Sequence, residues 1–188
     1  LAETAARLLG QTPISASTKI DSNTLTTRLL SRDAMNSRIV LFDNEDGKSQ
    51  QISNAGMASL FTSSQISGRK LYVGEGSRKN TLVWIMTLNA ATLDSDFASR
   101  CIPIALERPR PSMNWQERLN SFIEKNQWVI VSTLIDYLKK ETVHRTPVTR
   151  WGVWENDVLA KVPNIKMKEV LELIFELAVD VVRPLESR

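Results

Sequence analysis

Two apolar runs constrain this chain more than anything else in it: Arg38-Ile39-Val40-Leu41-Phe42-Asp43-Asn44 and Thr81-Leu82-Val83-Trp84-Ile85-Met86-Thr87-Leu88-Asn89. A helix on a protein surface repeats its apolar residues every three or four positions, and neither run does. Both are short and almost continuously apolar, the pattern of strands covered on both faces. Residues 38–43 and 81–87 therefore read as buried strands that carry Asp43 and Asn89 toward one edge of a sheet.

The intervening and flanking segments read mostly as helices. Leu1, Ala5, Leu8 and Leu9 stand at helical spacing and Gly10 follows them, as at a helix end. The chain opens inside this pattern without a methionine or a leader, which reads as the tail of a helix in a fragment. A short extended piece at 14–17 leads to Asp21 or Ser22 as an N-cap and a helix through about residue 32. Residues 51–61 predict another helix. Residues 65–79 predict a hairpin whose tip is Gly74-Glu75-Gly76-Ser77. A helical turn at 94–99 and a strand at 101–106 complete an α/β unit ending at residue 107.

The prolines of Glu107-Arg108-Pro109-Arg110-Pro111-Ser112 interrupt helix and strand alike. Beyond them everything reads as helical: two helices or one kinked helix over 113–138, a basic loop at 139–149, a helix at 151–161 and a last one at 166–182. The last is apolar nearly all round, so it needs cover from its own domain or from a partner. The organisation is thus an α/β unit (1–107) and a helical C-terminal unit (108–188).

Hydrophobic residues make up 42% and charged residues 24% of the 188, ordinary values for a folded domain, and no apolar stretch approaches a membrane span. A lone cysteine, Cys101 in an apolar run, excludes an internal disulfide framework and fits a reducing, cytoplasmic setting. The net charge of +3 is too mild to prove a polyanionic partner. Placement says more, since Arg69, Lys70, Arg78 and Lys79 cluster on the hairpin. That cluster reads either as a contact for single-stranded nucleic acid or as a solvated face. His144, beside Arg145, has no metal-ligating or nucleophilic companions.

Asp43 and Asn89 fit half of a nucleoside triphosphate site. Hydrolysis needs a carboxylate for Mg²⁺, a group that orients water, and cations for the γ-phosphoryl charge. Asp43 suits the first, Asn44, Glu45 and Asp46 stand close to the second, and Asn89 can hydrogen-bond phosphate or water. The competing reading is that Asp and Asn end strands because they favour turns. No GxxxxGK[ST] sequence is present, and Gly74-x-Gly76-Ser77-Arg78-Lys79 has neither that spacing nor a helix after it.

With Ser63-Ser64-Gln65-Ile66-Ser67-Gly68-Arg69, the segment from Trp84 to Asp96, and Ser99-Arg100-Cys101-Ile102-Pro103-Ile104, these strands resemble the second half of AAA+-type ATPases. Residues 1–160 are most similar to those of phage and mobile-element primase-helicases, down to the aromatic Trp151-Gly152-Val153-Trp154-Glu155. The resemblance implies an incomplete AAA+-like sheet with flanking helices, then a lid-like helical unit. It implies Asp43 as the Walker B acid and metal ligand, Asn89 as sensor 1, and Arg100 as an arginine finger reaching into a neighbouring subunit of a homo-oligomeric ring. ATP and Mg²⁺ would be used only with the phosphate loop, expected upstream of Leu1. DNA would be the partner, with no membrane involved. ATPase or helicase activity would belong to the parent chain and not to these residues alone.

Two departures stand out: the phosphate loop and its strand are missing, and Asn44 occupies a position where many AAA+ enzymes have Glu, which leaves the catalytic base open. The missing strand should leave a gap, or force a new pairing, between the strands ending near Asn89 and Leu106. From the residues themselves, Arg100 reads equally as a salt-bridge partner of Asp94 or Asp96. The rival to the motor is a non-catalytic oligomerisation or nucleic-acid-binding module that retains relic motifs.

Overall fold

The computed structural model describes residues 2–46, 51–52, 55–89, 92–102, 104, 114–142, 146–147 and 151–161. They fall into two compact units that meet in sequence between residues 102 and 104. The first is mixed α/β. Helix α1 (Ala2–Leu8) ends at Gly10, whose φ of +64° is the left-handed geometry a helix terminus favours. Strand β1 (Ile14–Ala16) leads to α2 (Ser22–Leu29), and Asp21 caps it, accepting from the backbone N–H groups of Asn23 and Thr24 at 3.0 and 2.9 Å. The Thr24 side chain foremost, and then these backbone bonds, hold the Asp21 carboxyl below its ordinary value. A 3₁₀ turn at Ala34–Asn36 then feeds β2 (Ile39–Asp46).

Next come β3 (Gln51–Ile52), α3 (Ala55–Thr62), the hairpin strands β4 (Gln65–Lys70) and β5 (Gly74–Lys79), β6 (Val83–Asn89), β7 (Thr92–Leu93) and α4 (Ser95–Ala98). The sheet that positions the candidate site is three-stranded and parallel, in the order β1-β2-β6. Val40 and Phe42 on β2 face a core built with Leu25, Leu29 and Leu30 and with Met57, Ala58, Ile66 and Phe97. Trp84, Met86 and Leu88 of β6 pack against it. An aromatic cluster joins the layers: Phe61 lies 4.6 Å from Trp84 and 5.2 Å from Phe97 between ring centroids. Both apolar runs are strands, but only β2 is buried, from Ile39 to Phe42; β6, expected to be covered on both faces, is half-buried, with Val83 56% exposed.

Several expectations are corrected. The hairpin turns at Leu71-Tyr72-Val73, and its glycines lie inside β5. Helix α2 stops at Leu29, short of residue 32, and the helix expected over 51–61 begins only at Ala55, with Gln51 and Ile52 pairing with β7 instead. Cys101, Ile102 and Ile104 belong to no strand, and Pro103, lacking an N–H, is a poor ladder residue. Strand β6 forms an edge of its sheet among the described residues.

In the second unit one 25-residue helix, α5 (Trp115–Lys139), replaces the two or the kinked one expected. Asn126 causes no break, because its side-chain amide donates to Phe122 O at 2.7 Å within the same helix. After α5, Thr142 Oγ1 donates to Asn156 O and Lys161 Nζ to Leu138 O. Those bonds tie α6 (Gly152–Asp157) and the 3₁₀ turn Leu159–Lys161 to the end of α5. The last helix, expected at 166–182, lies outside the described residues, as do Arg108, Arg110, His144, Arg145 and Arg150. No helix among the described residues is long and apolar enough to cross a membrane.

Candidate functional site

A bulge decides what Asp43 meets. Strands β2 and β6 pair in simple register from Ile39↔Val83 to Phe42↔Met86, then resume at Glu45↔Leu88 and Asp46↔Asn89. Asp43 and Asn44 thus stand against Thr87 alone, two residues against one, an arrangement that re-aims side chains. The Thr87 hydroxyl donates to Asp43 Oδ1 at 2.7 Å. The bulge also lets pairing continue to Asp46, so β2 runs three residues past the end expected at residue 43.

Asn89 is consequently in register with Asp46 and not with Asp43. The side chains of Asn44 and Asn89 lie outside the described residues. Thr87 is the functional candidate that the reading of strand ends missed. Its signal was available: it is the one polar residue between Leu82 and Leu88, two positions before Asn89 and therefore on the same strand face.

Asp43 is exposed in the C-terminal half of a central parallel strand that runs on to Asp46, toward the end at which open α/β sheets collect ligands. A carboxylate beside a hydroxyl is a hard-oxygen pair of the kind that suits a hydrated Mg²⁺. Yet no group of three or more His, Cys, Asp or Glu side chains among the described residues can hold a metal ion, and no phosphate-cradling loop accompanies the pair. The donors present fit one corner of a metal–nucleotide site.

Arg100 follows α4 and is tied within its own chain. Its Nη2 and Nε reach Asp96 at 3.0 and 3.2 Å, while Nη1 donates to Thr62 Oγ1 at 2.8 Å and approaches Ala58 O at 3.4 Å. This is the Asp96 salt bridge that the sequence left open, extended to the C-terminal end of α3, where a cation complements the helix dipole.

On the hairpin the four basic residues separate by strand parity. Arg69 and Lys79 are exposed, and Arg69 stands in register with Glu75. Lys70 is half-buried. Arg78 is only 8% exposed and leaves the nucleic-acid set. Its Nη1 donates to Leu29 O and Ala34 O at 3.1 and 2.9 Å, and its Nη2 to Ser37 O at 3.1 Å. Burial first, and then the neighbouring Arg38, lower its pKa from the usual arginine value. It is a clamp between the hairpin, the end of α2 and the chain entering β2. Cys101 is likewise structural: burial pushes its thiol up to about 11, and Sγ lies 3.3 Å from Phe97 O.

The aromatic segment of the second unit forms α6 beside a groove of about 430 Å³ lined by Trp151, Trp154 and Val158. Comparison with known proteins adds no identity: no protein-family model, no curated protein and no solved structure matches this chain.

Proposed function

We propose that this chain is the C-terminal part of an ATP-driven DNA motor, a helicase or primase-associated ATPase of AAA+ type working as a homo-oligomeric ring in the cytoplasm. Asp43 would hold Mg²⁺, directly or through water, as the ion that offsets phosphoryl charge; Thr87 fixes the orientation of that carboxylate, and Asn89 lies further along the same edge to meet phosphate or the lytic water. Arg100 serves a neighbouring subunit's site once it exchanges Asp96 for phosphate. Arg69, Lys70 and Lys79 face DNA.

The observation that carries this reading is the parallel order β1-β2-β6 with Asp43, hydrogen-bonded to Thr87, in the half of the middle strand toward its ligand-collecting end. That order agrees with the resemblance, which places the phosphate-loop strand against the outer edge of β6. Bound nucleotide would supply the transferable phosphoryl group. From this chain come the metal-orienting carboxylate, its hydroxyl partner and a cation.

The test is Mg²⁺-dependent ATP hydrolysis by a parent chain that includes a phosphate loop. Asp43→Ala and Arg100→Ala should each lower turnover by about 10³-fold or more. Activity surviving both changes would sink the motor. Tight Mg-ATP binding by the 188 residues alone would sink the claim that the loop is indispensable.

One observation favours the rival, a non-catalytic assembly or nucleic-acid-binding module with relic motifs: every guanidinium nitrogen of Arg100 has a partner in its own chain. If the rival holds, Arg100→Ala lowers stability and leaves hydrolysis in the parent unchanged.

A further inference from the structure

The hairpin turn has a composition that folding alone does not call for. Tight hairpins favour Gly, Asn or Asp where φ is positive, yet Tyr72 occupies that position with φ of +62°. Gly74, at φ of +101°, serves only where the loop closes on β5, and Gly76 lies inside that strand, so the tip position itself is left to tyrosine. Tyr72 is fully exposed, and Leu71 and Val73 on either side are more than half exposed. An aromatic residue held in a sparsely populated backbone region, with no packing to offset the strain, points to a ligand that uses the ring.

A groove of about 540 Å³ lies at the base of this tip, between the end of α2, the following 3₁₀ turn and the hairpin. Arg32, Ser31 and Asn36 line one side and Lys70 and Leu71 the other, with Met35 adding an apolar wall. No carboxylate lines it. Glu75, in register with Arg69, and Asp33, next to Arg32 in sequence, are exposed and do not line the groove.

We infer that the tip and the groove form one contact for single-stranded nucleic acid, in which Tyr72 stacks on a base while Arg32 and Lys70 hold the adjoining phosphates. This rests on the DNA-motor reading and deepens it by giving the hairpin a stacking residue and a cation from the turn after α2 that its basic composition did not announce. Two cations and hydroxyl and amide donors, without a lining acid, complement a phosphodiester chain. The apolar walls of Leu71 and Met35 suit sugar and base edges, and a ring on an exposed turn accepts any base face. An apolar peptide would use the walls but leave the cations without partners.

The experiment titrates a labelled oligothymidylate with the 188-residue chain, followed by fluorescence anisotropy across a salt series. Tyr72→Ala should weaken binding about tenfold, while Tyr72→Phe and Tyr72→Trp retain it. In the Tyr72→Trp chain, oligonucleotide should quench the new indole. Arg32→Ala should weaken binding and reduce the slope of log K against log salt by about 0.7, whereas Tyr72→Ala leaves that slope unchanged. Melting temperatures of all variants should match the parent's, because neither side chain is buried.

Oligonucleotide binding that ignores both Tyr72→Ala and Arg32→Ala overturns the inference and leaves the motor reading standing. Absence of any oligonucleotide binding by the unsubstituted chain also overturns the inference, whereas the motor reading falls only by the hydrolysis test on the parent chain. Binding to phosphatidylserine vesicles that needs Tyr72, when oligonucleotide binding does not, overturns it in favour of a membrane contact.

Discussion

The α/β unit and helix α5 are both rich in large apolar side chains, and they bury them to opposite extents. Leu25, Phe42, Met57 and Ile66 have lost all contact with solvent, and Phe97 nearly so. Not one residue of the 25 in α5 is buried, and Trp128 is 82% exposed. The difference lies in what stands opposite each face. Around β2 a sheet face, two helices and the hairpin converge, so each side chain meets partners on several sides. Along α5 the apolar residues spread widely around the helix. Helical periodicity provides a stripe; burial requires a second surface shaped to it.

The largest test of that contrast is at its best-covered point. Phe42→Ala removes a ring that lies 6.0 Å from Phe61 and 6.3 Å from Trp84 between centroids, in a close-packed layer. It should destabilise the α/β unit by about 3–5 kcal/mol, read as the shift of the urea unfolding midpoint. A loss below about 1 kcal/mol would mean that the layer is loose and the contrast with α5 false.

Slightly smaller, and polar instead of apolar, is the effect expected at Arg78. Arg78→Met keeps much of the buried stem but leaves the carbonyls of Leu29, Ala34 and Ser37 without their charged donor. Hydrogen bonds to charged groups are strong, and orphaned buried acceptors are destabilising, so a loss of about 3 kcal/mol is expected. Arg78→Lys keeps the cation at the end of α2 but cannot span three carbonyls, and should lose about half as much. Equal stability of the Met and parent chains in urea would show that water satisfies those carbonyls and that the clamp is incidental.

Arg78 also marks the boundary of what the sequence could say. The strands around Phe42 and Trp84 were legible because continuous apolar runs have few other solutions, and the Asp21 cap because an acid before a helical pattern has a direct backbone partner. Which face of the hairpin Arg78 occupies depends on strand register, and register depends on where the turn falls. The glycines pointed to the wrong turn because Gly74 only closes the loop, at φ of +101°, while Gly76 and Gly68 serve close approach. A Cβ on Gly76 would come within 3.3 Å of the Lys70 Cβ, and one on Gly68 within 2.8 Å of Thr26 Cγ2. At the candidate site, Asp43 was legible from its strand end. Its pairing with Thr87 was not, because a bulge leaves no mark on a hydrophobic pattern.

Gly68 allows the coverage of the core to be tightened instead of emptied. Thr26 cannot easily swing aside: it is β-branched, and its hydroxyl donates to Ser22 O at 2.7 Å. Gly68→Ala should therefore push the hairpin from α2 and destabilise by about 1–3 kcal/mol. Thr26→Ser, which deletes the obstructing methyl, should recover most of that loss in a double-mutant cycle by thermal melting. Additive losses would place the strain elsewhere.

The smallest effect belongs to α5, where it is the smallness that tests the argument. If α5 is uncovered around Trp128, then Trp128→Ala removes a side chain that gave up little water on folding, and the indole contributes little through burial. Alanine is also the better helix former by a few tenths of a kcal/mol, which acts in the opposite direction. The two terms nearly cancel, and the unfolding midpoint should move by less than about 0.5 kcal/mol at low protein concentration. Repeating the measurement across protein concentrations separates a bare helix from one covered by a second copy. A loss that grows with concentration would show that Trp128 is buried in an assembly, because only an associated state can gain stability by mass action. A large loss independent of concentration would show that the helix is covered within its own chain, and the contrast with the β2 layer would then be one of degree.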